Sequence, residues 1–339
     1  MGSPSVSVII VNWNGEPFIP DCFKALAKQT FQDFEVIFVD NGSSDNSVTL
    51  ARKVAEDLNL AVKIIKLPTN TGFTGGNIAG LKKCSGKFIA LLNNDTVVSP
   101  QWLEALAQAM EAYQDVGICA SKLVVDGKNI IDSSGDGYST FGSAFKRGEG
   151  FPASQYESQE YVFGACAGAA LYRRQMLDEI GFLDDDFFLY FEDVDLNFRA
   201  QLAGWKCIYV PKALVRHKVN ASSKLLGDLA TYYGVRNDKV VKIKNIPYAV
   251  MLRHLPAFIL NELISLQYHI RIGRFRSYLK GNLEFFRNLP FYLKKRKQTM
   301  KLKKVSNSYI EGLLTSGFSV YLGLRFYRLK EAFGKRRQK

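Results

Sequence analysis

The sequence predicts an α/β fold with a mostly parallel sheet flanked by helices. Between residues 5 and 100, short β-branched runs alternate with helix-like spans of about a dozen residues, a pattern typical of strands joined by right-handed crossovers. Polar residues follow the predicted strands. Because ligands bind beyond the carboxyl ends of parallel strands, these polar steps predict a binding site along one edge of the sheet.

Hydrophobic periodicity predicts the elements of the first hundred residues. A helix over 16–29 is favoured by Pro17 near its start and by an apolar face. The glycine-rich stretch 71–84 is predicted to be a loop that runs into a helix. Strands are predicted at 6–11, 35–40, 62–67 and 87–92, and further helices at 46–58 and 100–115.

The middle of the chain is less regular. Residues 118–160 are rich in Gly, Ser and Asp and are predicted to be irregular. A strand is predicted over 164–174, where small side chains let backbone or ligand approach closely. Glu192 and Asp193 open a predicted helix that ends at Gly204. The remaining predicted elements are a loop at 184–186 and strands at 207–211 and 215–217.

Composition and motifs exclude several classes of protein. The chain has 339 residues, of which 47% are hydrophobic, enough for a substantial core. Its five cysteines contain no CxxC pair, which favours reduced thiols over a disulfide framework or a zinc site. The stretch 70–77 has neither GxGxxG nor a P-loop, which disfavours dehydrogenases and P-loop kinases. The first residues do not have the pattern of a signal peptide.

Positive charge is concentrated in the last third of the chain. From Lys239 onward there are 23 Lys and Arg against 4 Asp and Glu, whereas the whole chain has 45 against 32. Residues 246–337 are predicted to form aromatic-rich amphipathic helices without an uninterrupted apolar span. This composition favours a helical region lying on an anionic membrane surface. Packing on the rest of the chain and a dimer interface are the alternatives, and no nucleic-acid motif is present.

Six motifs resemble the bacterial family 2 glycosyltransferases, most closely the rhamnosyltransferase-like branch. The resemblance covers 5–220 and implies a GT-A fold, a nucleotide-diphosphate sugar donor, a Mg²⁺ or Mn²⁺ ion and inverting transfer. We therefore divide the chain into a catalytic domain, 1–240, and a helical region, 241–339. The donor half is about 1–100 and the acceptor half about 101–240. The motifs are VSVIIVNWNGE, VIFVDNGSSDNS, NTGFTGGN, LLNNDTVV, GACAGAALYRR and FEDVDLNFRAQLAGW.

The resemblance implies a metal site after the fourth predicted strand. In the family this step reads Asp-x-Asp, and its last Asp contacts the metal. Asp95 occupies that position, while Asn93 replaces the first acid. A hard divalent cation stabilises charge on a departing diphosphate. Asp95 and His217 are therefore predicted metal ligands, with Asn93 as a further candidate. Taken alone, the Asn-Asn-Asp step also fits a turn cap, and a lone His also fits a structural role.

The resemblance also assigns a nucleotide site. Asp40 is predicted to accept a hydrogen bond from the imide N–H of uracil or thymine, although an Asp before a turn also fits a cap. Asn14 and the Val11 backbone flank the base in related enzymes. The ribose and diphosphate are expected against the glycine-rich stretch. The other predicted nucleotide-site residues are Asn12, Asn41, Gly72, Phe73, Asn77 and Asn94.

Asp193 is implied to be the catalytic base. Displacement at an anomeric carbon needs a group that takes the proton of the acceptor hydroxyl, and in the family this is the Asp of the Glu-Asp pair. Glu192 is predicted to hold acceptor hydroxyls. Repulsion from the nearby Asp195 is expected to raise one pKa of the pair. Acidic residues also favour helix N-termini without any catalytic role.

Together these assignments predict an inverting transferase for surface polysaccharide and cell-wall biosynthesis. The leading donor is dTDP-rhamnose, and the acceptor is a glycan or a polyprenyl-diphosphate-linked chain. The enzyme is expected on the inner face of the cell membrane, bound through 241–339; a homo-oligomer is left open and nucleic acid is not an expected partner. The alternatives are a UDP-hexose or UDP-N-acetylhexosamine donor and, because of Asn93, a catalytically degenerate membrane scaffold.

Overall fold

A central sheet organises the catalytic part of the chain, as the predicted α/β fold requires. The computed structural model describes residues 4–218, 223–318 and 320. In this part of the chain the sheet has ten strands, with a hydrophobic core on each face. Helices cover both faces, so the predicted fold class is confirmed.

Four parallel strands form the first half of the sheet. β1 (Val6–Asn12) lies between β2 (Phe34–Asp40) and β4 (Phe88–Leu92), and β3 (Val62–Lys66) is the outer strand beside β2. The three inner strands are apolar and buried, as expected for a parallel sheet covered on both faces. These are the strands that the sequence predicts.

The second half of the sheet is mixed. β6 (Val116–Val125) runs parallel to β12 (Lys206–His217) and antiparallel to β11 (Ala169–Arg173), which joins it to β4. A register shift between Val210 and Leu214 bends β12, so the two strands predicted there are one. The shorter strands are β5 (Thr96–Val98), β7 (Ile131–Ser133) and β10 (Glu160–Val162) in this sheet, and β8 (Asp136–Ser139), β9 (Ala144–Lys146) and β13 (Leu314–Thr315) in a second, three-stranded sheet.

The prediction that 118–160 is irregular is wrong. β6 has ten residues, nine of them buried, and β7 and β8 are fully buried as well. Their many Gly, Ser and Asp residues suggested a loop, but pairing with β6 and β9 satisfies their backbone groups. Tertiary pairing overrides weak local strand propensity here.

The helices of the catalytic part lie on the two faces of the sheet. One core contains the apolar residues of α1, α2 and α4, and the other those of α5 and α6, with α3 packed against it. A short 3₁₀ turn, Glu16–Phe18, precedes α1, and another, Asp185–Phe187, lies between α5 and α6. The helices are α1 (Ile19–Ala27), α2 (Ser47–Asp57), α3 (Gly72–Leu81), α4 (Trp102–Ala112), α5 (Arg174–Ile180) and α6 (Glu192–Ala203).

Among the described residues, six more helices form the C-terminal helical region. α7 (Ser223–Asn245) has a kink at Gly227 and packs beside α6, so the predicted boundary at 240 falls within this helix. Residues 321–339 of the predicted region lie outside the described residues. No helix in the described ranges is both long and apolar enough to cross a membrane. The others are α8 (Tyr248–Arg253), α9 (Leu255–Arg271), α10 (Phe275–Arg287), α11 (Leu289–Lys301) and α12 (Asn307–Gly312).

Candidate functional site

The carboxyl ends of three neighbouring strands meet at one edge of the sheet. Asn12 lies opposite Asp40 in the ladder of β1 and β2, and the Asn41 N–H donates to the Asn12 carbonyl at 2.7 Å. Just after β4, the Asn94 amide donates to Asn12 Oδ1 at 2.6 Å. The structure therefore brings these four predicted nucleotide-site residues together.

Asp40 is the buried carboxylate of this edge. It is 2% exposed, and its Oδ1 has no hydrogen-bond partner within the described part of the chain. A buried acceptor without a partner costs free energy, so a ligand N–H that reaches it is favoured. Asn14, with φ of 49°, accepts from the Ser44 N–H at 2.8 Å. The half-buried Val11 side chain lies close to Gly76 on α3.

Asn41 fastens the glycine-rich segment to the same edge. Its Oδ1 accepts from the Thr71 N–H and its Nδ2 donates to the Gly72 carbonyl, both at 2.9 Å. Gly72 has φ of +75°, and a Cβ there would lie 2.3 Å from the Phe188 carbonyl oxygen. Glycine is required at this position both for its conformation and for its lack of a side chain.

Asn77 does not reach the open part of the edge. It is 1% exposed, and its Nδ2 donates to the Phe73 carbonyl, one turn earlier in α3, at 2.8 Å. This contact orders the helix behind the glycine-rich segment. The half-buried Phe73 lies in the first turn of that helix.

Asp95 and His217 meet where β5 pairs with β12. His217 Nε2 lies 3.4 Å from Asp95 Oδ1, and His217 Nδ1 lies 2.8 Å from Asp132 Oδ2. Asp132 in turn pairs with the Lys146 ammonium at 2.7 Å. A carboxylate that holds the second nitrogen of a histidine is a common arrangement around metal ligands, because it fixes the tautomer and the ring orientation.

Charge in this cluster is balanced by the histidine. Burial lowers the pKa of His217, but the hydrogen bonds and charges of Asp132 and Asp95 outweigh it and raise the pKa to about 9. Burial raises the pKa of Asp132, yet His217 and Lys146 hold it below its usual range. In the cation-free protein at neutral pH, an imidazolium therefore lies between two carboxylates. A divalent cation bound to Asp95 and His217 would replace that positive charge.

Glu192 and Asp193 lie at the N-terminus of α6. Asp193 is half-buried, and its Oδ2 accepts from the Ala167 N–H at 3.1 Å. Burial raises the pKa of Asp193, against hydrogen bonds from Ala167 and Val194 and the charge of Lys146. Burial and the charge of Asp193 raise the pKa of Glu192 well above its usual range. Glu192 Oε2 has no hydrogen-bond partner among the described residues.

The prediction that repulsion from Asp195 raises a pKa of the Glu192–Asp193 pair is wrong. Asp195 is fully buried and bonded by Arg199 at 2.8 Å, by Lys244 at 2.9 Å and by the Asn245 amide at 2.8 Å. Although burial raises the pKa of Asp195, the two cations lower it below its usual range. Asp195 therefore joins α6 to α7, and it is not among the main causes of the raised pKa values of Glu192 and Asp193.

Asp136 is a further buried carboxylate close to Asp193. It lies in β8, where its N–H donates to the Gly164 carbonyl at 2.8 Å. Burial and then the charge of Asp193 raise the pKa of Asp136 well above its usual range. Sequence reasoning missed Asp132, Asp136 and Lys146, since all three lie in the segment predicted to be irregular. The apolar run of β6 was the signal that could have revealed a sheet there.

The two acidic centres lie on one rim. The Asn93 N–H donates to the Gly168 carbonyl at 2.9 Å, while the neighbouring Ala167 N–H donates to Asp193. Only one residue separates Asn93 from Asp95. Lys146 also connects the centres, because it pairs with Asp132 and its charge acts on both Asp136 and Asp193.

A third acidic cluster lies apart from this rim. The carboxylates of Asp184, Asp185 and Asp186 lie within 4.8 Å of one another, a spacing that could hold a cation. However, Lys244 and Lys295 bond Asp184, and Lys295 also bonds Asp186. Burial raises the pKa of Asp184, but the two lysines hold it well below its usual range. Lysine ammonium groups thus already occupy the carboxylates of Asp184 and Asp186, which anchor α7 and α11 to the catalytic part.

Comparison with known proteins identifies the family to which this chain is similar. The model of the family described as "Glycosyl transferase family 2" matches residues 7–181. An uncharacterized glycosyltransferase of Haemophilus influenzae is 24% identical over 276 residues, 79% of this chain and 81% of the relative. The poly(ribitol-phosphate) beta-N-acetylglucosaminyltransferase TarS of Staphylococcus aureus is 30% identical over 131 residues, 38% of this chain but only 22% of that protein.

Solved structures agree with the fold. The mannosyltransferase PcManGT of Pyrobaculum calidifontis, solved in complex with GDP-Man and Mn²⁺, superposes with a TM-score of 0.52 at 15% identity. The match covers 97% of this chain and 83% of that one. The likeness extends beyond the catalytic part and confirms the GT-A fold expected from the sequence.

Proposed function

Because this chain belongs to glycosyl transferase family 2, and is thus a glycosyltransferase as predicted, we propose that it moves a sugar from a nucleoside-diphosphate donor to a carbohydrate hydroxyl with inversion. One observation carries this proposal. The short link from Asp95 through Asn93, Gly168 and Ala167 to Asp193 gives a leaving-group site and a base on the same rim. Inverting displacement needs these two functions on opposite sides of one anomeric carbon.

Asp193 is the proposed base. It takes the proton of the acceptor hydroxyl while the acceptor oxygen bonds to the anomeric carbon and the bond from that carbon to the diphosphate oxygen breaks. Its raised pKa makes it a better proton acceptor than an exposed carboxylate. Glu192, whose pKa burial and the charge of Asp193 also raise, is proposed to hold another acceptor oxygen through a hydrogen bond.

Asp95 and His217 are the proposed ligands of a Mg²⁺ or Mn²⁺ ion. The residues fit such an ion because carboxylate and imidazole atoms lie 3.4 Å apart and Asp132 fixes the histidine ring from behind. When bound, the ion neutralises charge on the diphosphate. Asn93, which is neutral, leaves one acid fewer at this step than the Asp-x-Asp pattern. We therefore propose that the donor phosphates supply the remaining oxygen ligands.

The proposed donor is dTDP-rhamnose, on the resemblance of the six motifs, with a UDP-N-acetylhexosamine as the second candidate. The similarity to TarS, which is named as an N-acetylglucosaminyltransferase, favours the second. The two are separated by incubating the protein and Mn²⁺ with a panel of nucleotide sugars and measuring release of the nucleoside diphosphate. Turnover confined to UDP-sugars would exclude rhamnose. Complete absence of turnover, with no rise in melting temperature on adding nucleotide and Mn²⁺, would favour a degenerate scaffold.

Replacing Asp40 by alanine is expected to weaken binding of UDP and TDP by about 10- to 100-fold, the effect of losing a charged hydrogen-bond acceptor. The wild-type protein should also prefer UDP to CDP, because cytosine N3 carries no hydrogen to donate to Asp40. Calorimetric titration in the presence of Mn²⁺ measures both effects. Asp57→Ala, which alters an exposed carboxylate at the end of α2, is the matched control. If Asp40→Ala keeps the preference for UDP, another group reads the base.

We also propose that the helical region docks on the anionic inner face of the cell membrane, where it meets a lipid-linked acceptor. Helices α8 to α10 expose large apolar side chains that are 54–67% accessible, and cations lie among them. The charge excess after Lys239 complements anionic lipid. This composition fits helices lying in the headgroup layer. The apolar residues are Leu252, Ile259, Leu263, Leu283 and Phe286, and the exposed cations are Arg271, Arg276, Lys280 and Arg287.

Vesicle sedimentation tests this surface. Wild-type protein is expected to bind phosphatidylglycerol-containing vesicles and to lose binding in high salt. The double variant Ile259→Glu, Leu263→Glu should bind at least about tenfold more weakly, since two apolar insertions are lost. Phe151→Glu, at an exposed position of the catalytic part, is the control. Failure of wild-type protein to bind vesicles, together with dimerisation in solution, would assign the surface to a second copy.

A further inference from the structure

The segment between Asp186 and Glu192 holds a strained backbone. Phe188, Tyr190 and Phe191 have φ of 61°, 67° and 69°, a conformation that bulky side chains rarely adopt. Such conformations persist only where the surroundings enforce them, and they gather at functional sites. We call residues 187–191 the strained loop.

The strained loop touches both halves of the site. At its end, Phe191 is the residue before α6 and so precedes Glu192 and Asp193 directly. Near its start, the Phe188 carbonyl accepts from the Thr74 N–H of the glycine-rich segment at 3.1 Å. The loop is therefore continuous with the proposed base and adjoins the glycine-rich segment through Phe188.

One side chain holds the loop from behind. Asn237 of α7 is fully buried, and its Nδ2 lies 2.9 Å from the Phe187 carbonyl oxygen, 2.9 Å from that of Leu189 and 2.8 Å from that of Tyr190. These three carbonyls surround a single amide nitrogen. No strand ladder of the described residues includes this loop, so the amide supplies hydrogen bonds that a neighbouring strand would otherwise provide.

The orientation of the Asn237 amide is itself fixed. Its Oδ1 accepts from Arg236 Nε at 2.8 Å, which leaves the two N–H groups facing the loop. The Arg236 guanidinium also donates to the Asp186 carbonyl. Phe188 stacks on Tyr233, with ring centroids 4.9 Å apart. About one turn of α7 thus contacts the loop and the residue before it through three side chains: the ring of Tyr233, the guanidinium of Arg236 and the amide of Asn237.

We propose that Asn237 is a positioning residue for sugar transfer, holding the strained loop so that Asp193 faces the acceptor hydroxyl. The inference rests on the proposed function, in which Asp193 is the base. Asn237 touches no reacting atom and acts through the backbone of the loop. A misplacement of about 1 Å at a reacting group can cost about 100-fold in rate.

The isosteric variant Asn237→Asp tests the proposal, since it replaces two donors by an acceptor that faces three carbonyl oxygens. We expect kcat to fall about 100-fold, while the affinity for nucleoside diphosphate with Mn²⁺ stays that of wild-type protein. Val241→Ala, one turn further along α7 and fully buried, is the matched control. It should lower the melting temperature without a comparable loss of kcat. Wild-type kcat in Asn237→Asp would overturn the proposal.

Amide hydrogen exchange separates this proposal from the proposed function. In Asn237→Asp, the amide exchange rates of residues 188–193 should rise at least about tenfold, because loss of the hydrogen bonds from Asn237 makes local opening of the loop more favourable by that factor. The amides of β1 and β4 should keep their wild-type exchange rates. Unchanged exchange across 188–193 would overturn the positioning role even if the wild-type protein had no turnover with any donor. Absence of turnover alone would overturn the proposed function and leave the exchange result to decide the role of Asn237.

Discussion

Replacing Asp193 by asparagine is expected to lower the rate of sugar transfer by about 1,000-fold, within the range that a general base contributes. Asparagine keeps the shape of the side chain and one acceptor oxygen for the Ala167 N–H, but it cannot take a proton. Binding of nucleoside diphosphate should be unchanged, because the proposed nucleotide contacts lie at the carboxyl ends of β1, β2 and β4 and in the glycine-rich segment. Single-turnover transfer assays combined with calorimetric titration measure the two quantities separately.

The control for this variant is Asp178→Asn, which removes an exposed carboxylate from α5. It should have wild-type rates. If Asp193→Asn retains more than about a tenth of the activity, another carboxylate takes the proton. Glu192 and Asp136 are the next candidates, because the charge of Asp193 that raises the pKa of each is lost in the variant, which favours their ionised, proton-accepting forms. The double variants with Asp193→Asn would identify which of them substitutes.

Asp95→Ala is expected to lower transfer by about 100-fold or more, the effect of losing several kcal/mol of leaving-group stabilisation. It should also remove the response to metal. Wild-type protein should lose activity in EDTA and regain it with Mn²⁺, and nucleoside diphosphate should raise its melting temperature more with Mn²⁺ than without. In the variant, both differences should vanish.

Two further variants test whether the loss of the metal response is specific to the site of Asp95 and His217. Asp132→Asn is expected to lower metal affinity about 10- to 100-fold, as changes behind a metal-bound histidine do. Asp115→Ala breaks an exposed pair with Lys206 at a distant end of β6 and should respond to metal like wild-type protein. If Asp95→Ala keeps its metal response, the cation is held elsewhere, and the Asp184–Asp186 cluster is then the site to alter.

The strands β1 to β4 could be predicted because their β-branched runs end in polar steps. Parallel topology then places Asp40 and the Asn93–Asp95 step at one edge without further information. Asp193 could be singled out through the family resemblance, which implies that the Asp of the Glu-Asp pair at the start of a predicted helix is the base. These are local signals, each contained in about a dozen residues.

Contacts between distant parts of the chain could not be predicted in the same way. His217 and Asp132 are separated by 85 residues, and no periodicity relates them. Asp136 is buried and Lys146 half-buried in short strands whose composition is that of a loop. The strained loop is also invisible to pattern analysis, since nothing in Phe188, Tyr190 or Phe191 indicates a positive φ. Its conformation is imposed by Asn237, about 50 residues later.

The ion pairs that Lys244 makes with Asp184 and Asp195 limit how this enzyme can be recombined with its relatives. A chimera joined at residue 240 from a donor lacking that lysine would leave these two carboxylates with one cation fewer, since only Arg199 would remain on Asp195 and Lys295 on Asp184. Removing one partner from a buried ion-pair network is destabilising, because the remaining charge is less well compensated. To transfer the specificity of the catalytic part, a chimera would therefore have to carry α7 and Lys244 together with the sheet, because Lys244 pairs with Asp184 and Asp195. Exchange of the catalytic part at residue 240 alone would separate Lys244 from Asp184 and Asp195, and is therefore expected to be destabilising.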